Sequence, residues 1–178
     1  FDKTKYHLIV ANARMVPEKR HDVLLKAFET VEMAMPESRL MILGNGPLRK
    51  QIEEMVPQSL KDKIAFMGFQ NNPYYYMYLA SVFALTSDYE GFPNVVIEAL
   101  ACGLPVVATN CKTGPREIIE NGKDGYVVER GDYNAMADAL VEVLSNEKKR
   151  IGLSQNAINK AKQYDVEKIA KDYISILN

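Results

Sequence analysis

The feature that most constrains this chain is a nearly unbroken alternation of two patterns. Short apolar, β-prone runs alternate with segments whose apolar residues recur at helical spacing. Strands are expected over residues 6–11, 40–43, 63–67, 82–86, 105–109 and 125–128. Helices are expected over residues 22–33, 48–56, 73–80, 94–101, 135–144, 148–162 and 166–177, the last with Asp165 as its N-cap. Strand and helix in turn imply βαβ units, hence a parallel sheet with helices on both faces. Several strands are continuous apolar runs rather than alternating ones, as expected when both faces are covered. The expected class is therefore α/β, Rossmann-like. In such a sheet ligands bind beyond the carboxyl ends of the strands, so the loops just after each strand are where function is sought.

Composition narrows the function classes. The chain has 178 residues, enough for one domain with a real core, and is read as a single domain spanning residues 1–178. A formal net charge of -1, with 25% charged residues, gives no basic excess of the kind nucleic acid selects. Cys102 and Cys111 have neither metal-ligand nor disulfide-framework spacing and read as small buried thiols, which suits a reducing, cytoplasmic setting. No apolar run is long enough to cross a bilayer, and the opening residues are not expected to be a signal peptide. Because the chain opens on Phe1, it is expected to be part of a longer protein.

The loop after residues 82–86 runs Ser87-Asp88-Tyr89-Glu90-Gly91-Phe92-Pro93-Asn94 into a helix beginning Val95-Val96-Ile97-Glu98. Gly91 lets backbone approach a ligand, and Pro93 fixes the way into the helix. The amides of Asn94 and Val95, at the positive end of the helix dipole, suit a phosphate. Glu98, one turn in, has two oxygens that match a ribose diol; taken alone it reads first as a solvated or dipole-pairing glutamate. Glu90 alone reads as an exposed loop carboxylate. The loop after the first strand carries Arg14 and Lys19 around Pro17, either a solvated basic turn or a clamp on a diphosphate. Gly44-Asn45-Gly46-Pro47 is a plain turn or a close backbone approach. Tyr74, Tyr75, Tyr76 and Tyr78 fit a short helix that is half core and half surface better than a sugar-stacking platform. His7 and His21 have no partner at metal spacing and read as structural. No Asp-x-Asp occurs, so no metal site is expected, and no cofactor.

Taken together these residues resemble a known family. Glu90 to Glu98 is similar to the E-x7-E signature of retaining GT-B glycosyltransferases of family 4, and the likeness runs from Ser87 to Thr109 almost throughout. Arg14 with Pro17-Glu18-Lys19, Leu43-Gly44-Asn45-Gly46-Pro47, Gly114-Pro115-Arg116-Glu117-Ile118, and Asn121-Gly122 with Gly125 extend it over essentially the whole chain. The resemblance implies a donor-binding C-terminal half of a GT-B fold. It also implies transfer of a hexose or N-acetylhexosamine from a nucleotide diphosphate sugar, UDP-linked, with retention. By position it implies catalytic roles for Glu90, Arg14 and Lys19. Arg14 and Lys19 would meet the diphosphate, Glu90 and Gly91 the sugar, and the backbone at Phe92, Asn94 and Val95 the sugar and phosphates. Glu98 would meet the ribose, and the backbone at Gln70 the base. No metal is implied. The implied partners are the nucleotide sugar and a saccharide or lipid-linked acceptor, the latter held by an N-terminal domain absent from this chain. The implied setting is cytoplasmic, extending to the inner membrane face for the full-length enzyme. Without its acceptor half the chain is expected to bind donor and transfer little.

Two other readings compete. One is a non-catalytic nucleotide-binding or interaction module of the same fold. The other, a dinucleotide oxidoreductase, is disfavoured because Asn12-Ala13-Arg14 stands where G-x-G-x-x-G should follow the first strand.

Overall fold

The computed structural model describes residues 4–165. In chain order the main elements are β1 (His7–Asn12), α1 (His21–Ala34), β2 (Ser38–Leu43), α2 (Arg49–Glu54), β3 (Ile64–Gly68), α3 (Pro73–Leu79) and β4 (Val82–Leu85). There follow α4 (Asn94–Ala101), β5 (Val106–Thr109), α5 (Pro115–Ile118), β6 (Gly125–Val128), α6 (Tyr133–Ser145) and α7 (Glu147–Ala161). All strand pairs are parallel, in the order β3-β2-β1-β4-β5-β6. That is a Rossmann-like sheet, whose strand order reverses between β1 and β4.

Successive strand residues point to opposite faces, and each face carries its own core. Ile9, Ala11, Leu40, Ile42, Val82 and Ala84 pack with α1, α2 and α6. Leu8, Val10, Met41, Leu43, Phe83 and Leu85 pack with α4 and Met77 of α3. Burial on both faces explains why the strands read as apolar runs.

Three local outcomes differ from the sequence reading. α2 stops at Glu54 although residues up to Val56 carry the helical pattern, because Pro57 disfavours helical backbone in the residue before it. The four-residue α5, with Pro115 in its first turn, is too short to show periodicity. The tyrosine cluster lies mostly outside the core: Tyr74, Tyr75 and Tyr78 are exposed, and only Met77 of α3 is buried. The expected helix over residues 166–177 lies outside the described residues.

Candidate functional site

Because β1 and β4 are neighbours, the loops that leave their carboxyl ends meet at the reversal of strand order. They are joined by backbone and side chain. The Asp88 amide donates to the Glu18 carbonyl at 2.8 Å, and the Thr86 hydroxyl to the Lys19 carbonyl at 2.9 Å. The Lys19 ammonium lies 2.7 Å from Glu90 Oε1. Ser87 Oγ donates to the same oxygen at 2.6 Å, and Glu90 is only 8% exposed. A carboxylate this far from water needs such partners. Both bonds fall on Oε1, so Oε2 keeps its accepting capacity, and an ammonium has two further N–H donors after one is given to Glu90. Glu90 is therefore no exposed loop carboxylate. Its own carbonyl accepts from the Thr113 hydroxyl, bringing the loop after β5 against it.

Arg14 projects from the β1 loop, exposed, with no side-chain partner among the described residues. Its loop is seated by glycines. The Gly44 amide donates to the Gly68 carbonyl at 2.7 Å, and the Ala13 amide to the Leu43 carbonyl at 3.2 Å. A Cβ on Gly44 would stand 2.2 Å from the Ala13 carbonyl oxygen, and one on Gly46 2.4 Å from that of Met15. The close approach these glycines permit is thus to the chain's own β1 loop.

α4 begins at Asn94 with Pro93 before it and no side-chain cap. Val96, Ala99 and Leu100 face the core and Val95 packs partly against it, while Asn94 is exposed. Glu98 is half-buried, and among the described residues its carboxylate has no partner. One expectation is corrected: the Asn94 amide is not free but turns back to the Phe92 carbonyl at 2.9 Å, because Pro93 folds the chain tightly there. Gly91 and Phe92 are exposed, and a Cβ on Gly91 would meet nothing within 4 Å. Gln70 stands apart from the Lys19–Glu90 pair, beyond the edge strand β3. Its side chain donates to the Met67 carbonyl at 2.6 Å and accepts from the Tyr76 hydroxyl at 3.1 Å.

The sequence profile of the family described as "Glycosyl transferases group 1" matches residues 2–160. The chain belongs to that family. It is 35% identical over 174 residues to the N-acetylgalactosamine-N,N'-diacetylbacillosaminyl-diphospho-undecaprenol 4-alpha-N-acetylgalactosaminyltransferase of Campylobacter jejuni, covering 97% of this chain and 47% of that protein. It is 30% identical over 168 residues to the poly(ribitol-phosphate) alpha-N-acetylglucosaminyltransferase of Staphylococcus aureus, covering 93% of this chain and 34% of that one. A crystal structure of an S. aureus TarM variant with Fondaparinux, alpha-GlcNAc-glycerol and UDP superposes with a TM-score of 0.91 at 28% identity, covering 100% of this chain and 36% of that one. Anabaena HepE with UDP-glucose shares the fold, with a TM-score of 0.85 at 24% identity, covering 98% of this chain and 49% of that one. The chain thus spans about half or less of the length of these proteins.

In this glycosyl transferases group 1 domain, the side chains that brace the loops around Lys19 and Glu90 do not stand out in the sequence as candidates. Ser87 and Thr113 bond Glu90, and Arg20 bonds Asp88 at 2.9 Å. Ser87 lies inside the recognisable segment. Arg20 carries no signal of its own in the sequence.

His21, read as structural, opens α1 at 4% exposure, and its Nδ1 has no partner among the described residues. Burial lowers its pKa from 6.5 to about 4, the nearby Asp22 opposing and Lys19 assisting. The unfolded chain therefore takes up this proton near pH 6.5, and the native domain only near pH 4. The folded state is unpenalised above about pH 6.5 and loses about 3 kcal/mol as pH falls from there to about 4. Denaturant melts at pH 7 and pH 4.5 should show the wild-type domain losing about 2 kcal/mol more than His21→Leu. Parallel losses in the two proteins would refute the assignment.

Proposed function

We propose that this chain is the donor-binding, C-terminal half of a retaining GT-B glycosyltransferase. The enzyme moves a hexose or N-acetylhexosamine from a UDP-sugar to a saccharide or lipid-linked acceptor in surface polysaccharide or glycan synthesis. The observation that carries the reading is the Lys19–Glu90 pair at the reversal of strand order, flanked by the exposed Arg14 and by the unpartnered Glu98 on α4.

The chemistry asks for this arrangement. Breaking the bond between sugar and diphosphate pushes negative charge onto the diphosphate and positive charge onto the sugar carbon. Cations already fixed in place stabilise the first without reorganising as it develops. Lys19 is such a cation: Glu90 and the β4 loop hold it, and its two remaining donors serve phosphate oxygens. Arg14 adds a bidentate fork. Glu90 keeps Oε2 for a sugar hydroxyl or for the developing positive charge. Glu98 takes the ribose diol, and the backbone after Gly68 near Gln70 takes the base. The cations serve in place of a metal. The UDP bound in the TarM structure, and the sugar transfers named for the C. jejuni and S. aureus relatives, support this class of donor.

An N-terminal domain supplies the acceptor site in this reading, so the chain alone binds donor and transfers little. The enzyme works in the cytoplasm or at the inner face of the membrane. No helix among the described residues is long and apolar enough to cross a bilayer.

Calorimetric titration with UDP, GDP and NAD in the presence of a chelator tests the reading. UDP is expected to bind, and Arg14→Ala and Glu98→Ala are each expected to weaken it by about tenfold or more, as loss of a hydrogen bond to a charged group does. Preference for NAD, or an unchanged affinity in Glu98→Ala, would overturn it.

A further inference from the structure

Arg20 is the one described residue other than glycine with a positive φ: 48°, with ψ 49°. A left-handed backbone costs an arginine roughly 1 kcal/mol and costs glycine almost nothing. Such strain persists where the surroundings over-determine it. Here they do so through the side chain. The guanidinium forks onto Asp22, Nε to Oδ1 and Nη2 to Oδ2, both at 2.9 Å, and its third nitrogen, Nη1, reaches Asp88 Oδ2 at 2.9 Å. Asp22 fixes the guanidinium against the start of α1, and Asp88 lies on the β4 loop two residues before Glu90. Arg20 also directly follows Lys19, whose ammonium meets Glu90.

The guanidinium is about a third exposed, so these ion pairs add little to stability, on the order of 1 kcal/mol. That roughly offsets the backbone cost. Net stability therefore does not account for an arginine here. What the side chain does is geometric: it ties the first turn of α1 to the loop that carries Glu90, across the line where β1 meets β4. We propose that Arg20 is a positioning residue for the donor site, keeping the β4–α4 loop and its Glu90 in register with Lys19. The proposal rests on the donor-binding reading given above.

Two measurements on this chain test it. The first needs no ligand. Arg20→Gly relieves the backbone and cuts the tie, so its thermal midpoint should stay within about 3 °C of wild type. Amide exchange at Asp88, whose N–H is held by the Glu18 carbonyl, should nevertheless accelerate severalfold, while β1 and β5 amides stay unchanged. Unaltered exchange at Asp88 would overturn the proposal whatever the ligand.

The second is UDP titration of Arg20→Gly, Asp88→Asn and the double variant. Positioning predicts that both single variants weaken UDP about five- to tenfold, and that the double variant is no weaker than either. If Arg20 acted only as a positive charge near the phosphates, Asp88→Asn would leave UDP binding unchanged or tighter; that result, or additive losses in the double variant, would overturn the proposal. A wild-type chain that binds no UDP would count against the donor-binding reading instead, with the exchange experiment still deciding the role of Arg20.

Discussion

Lys19→Ala is expected to destabilise the domain by about 2 kcal/mol, because removing one partner of a desolvated ion pair strands the other. Glu90 is only 8% exposed and would keep Ser87 Oγ as its remaining side-chain partner. The same change should weaken UDP by about tenfold or more, since a cation that meets phosphate is lost. The two effects separate in the double variant Lys19→Ala, Glu90→Gln. A neutral amide no longer needs the cation, so most of the lost stability should return, while the nucleotide affinity should not. Urea melts and calorimetry on the four proteins of this cycle provide the check. Recovery of both quantities together would mean that Lys19 only neutralises Glu90 and takes no part in binding. Unaltered stability in the single variant would mean that the pair is too well solvated to matter.

Gly44→Ala should be the most damaging single methyl addition in the β1–β2 region. The backbone at Gly44 has a φ of 107°, and the added carbon would stand 2.2 Å from the Ala13 carbonyl oxygen. Neither problem is relieved by turning a flexible side chain, because the obstacle is backbone. The strained backbone and the collision together should cost about 3 kcal/mol. For a domain of this size that lowers the thermal midpoint by about 6–12 °C. Survivors should bind UDP less well, because the displaced segment leads directly into Arg14. Gly91→Ala is the matching control: its Cβ would meet nothing within 4 Å, so the melting temperature should not move. Equal melting of Gly44→Ala and wild type would show that the loops part more easily than their hydrogen bonds suggest.

Much of the architecture is legible in the residues. Asn94–Ala101 and Gly125–Val128 form the helix and strand that their apolar patterns indicate, and the two-sided burial of β1, β2, β4 and β5 follows from their unbroken apolar runs. The placement of the candidate residues is partly legible too. Arg14, Lys19 and Glu90 stand in the segments that follow strands, and Glu98 stands just past the first turn of the helix that follows, near the end of the sheet where parallel sheets present their ligands.

What the pattern does not contain is which loops become neighbours. Alternation alone is compatible with several strand orders. The adjacency of β1 and β4 is what brings Lys19 within 2.7 Å of Glu90, 71 residues away. For the same reason Glu90 reads as an exposed loop carboxylate when taken in isolation. Gly44 and Gly46 read as a plain turn or a close backbone approach, and only the fold shows that what approaches them is the loop after β1. The Asn94 amide looks free because proline fixes only φ, and the tight turn that uses this amide also needs the ψ of 76° that Pro93 adopts in the fold. The tyrosines of α3 look half-core because seven residues are too few for their burial pattern to declare itself.

The ladder between β1 and β4 has a consequence for how the domain responds to force and heat. β1 and β2 are in register along six residue pairs, from His7 with Ser38 to Asn12 with Leu43. β1 and β4 share two, Ile9 with Val82 and Val10 with Phe83. The middle of the sheet is thus its most lightly stitched seam, and the Lys19, Arg20, Thr86 and Asp88 contacts lie just beyond the end of that stitching. A nucleotide seated between these loops would act as a rivet across the seam. The two halves of the sheet would then part at a higher pulling force with UDP bound than without it, and the protection would be greatest at the residues flanking β1 and β4, not at the sheet's edges.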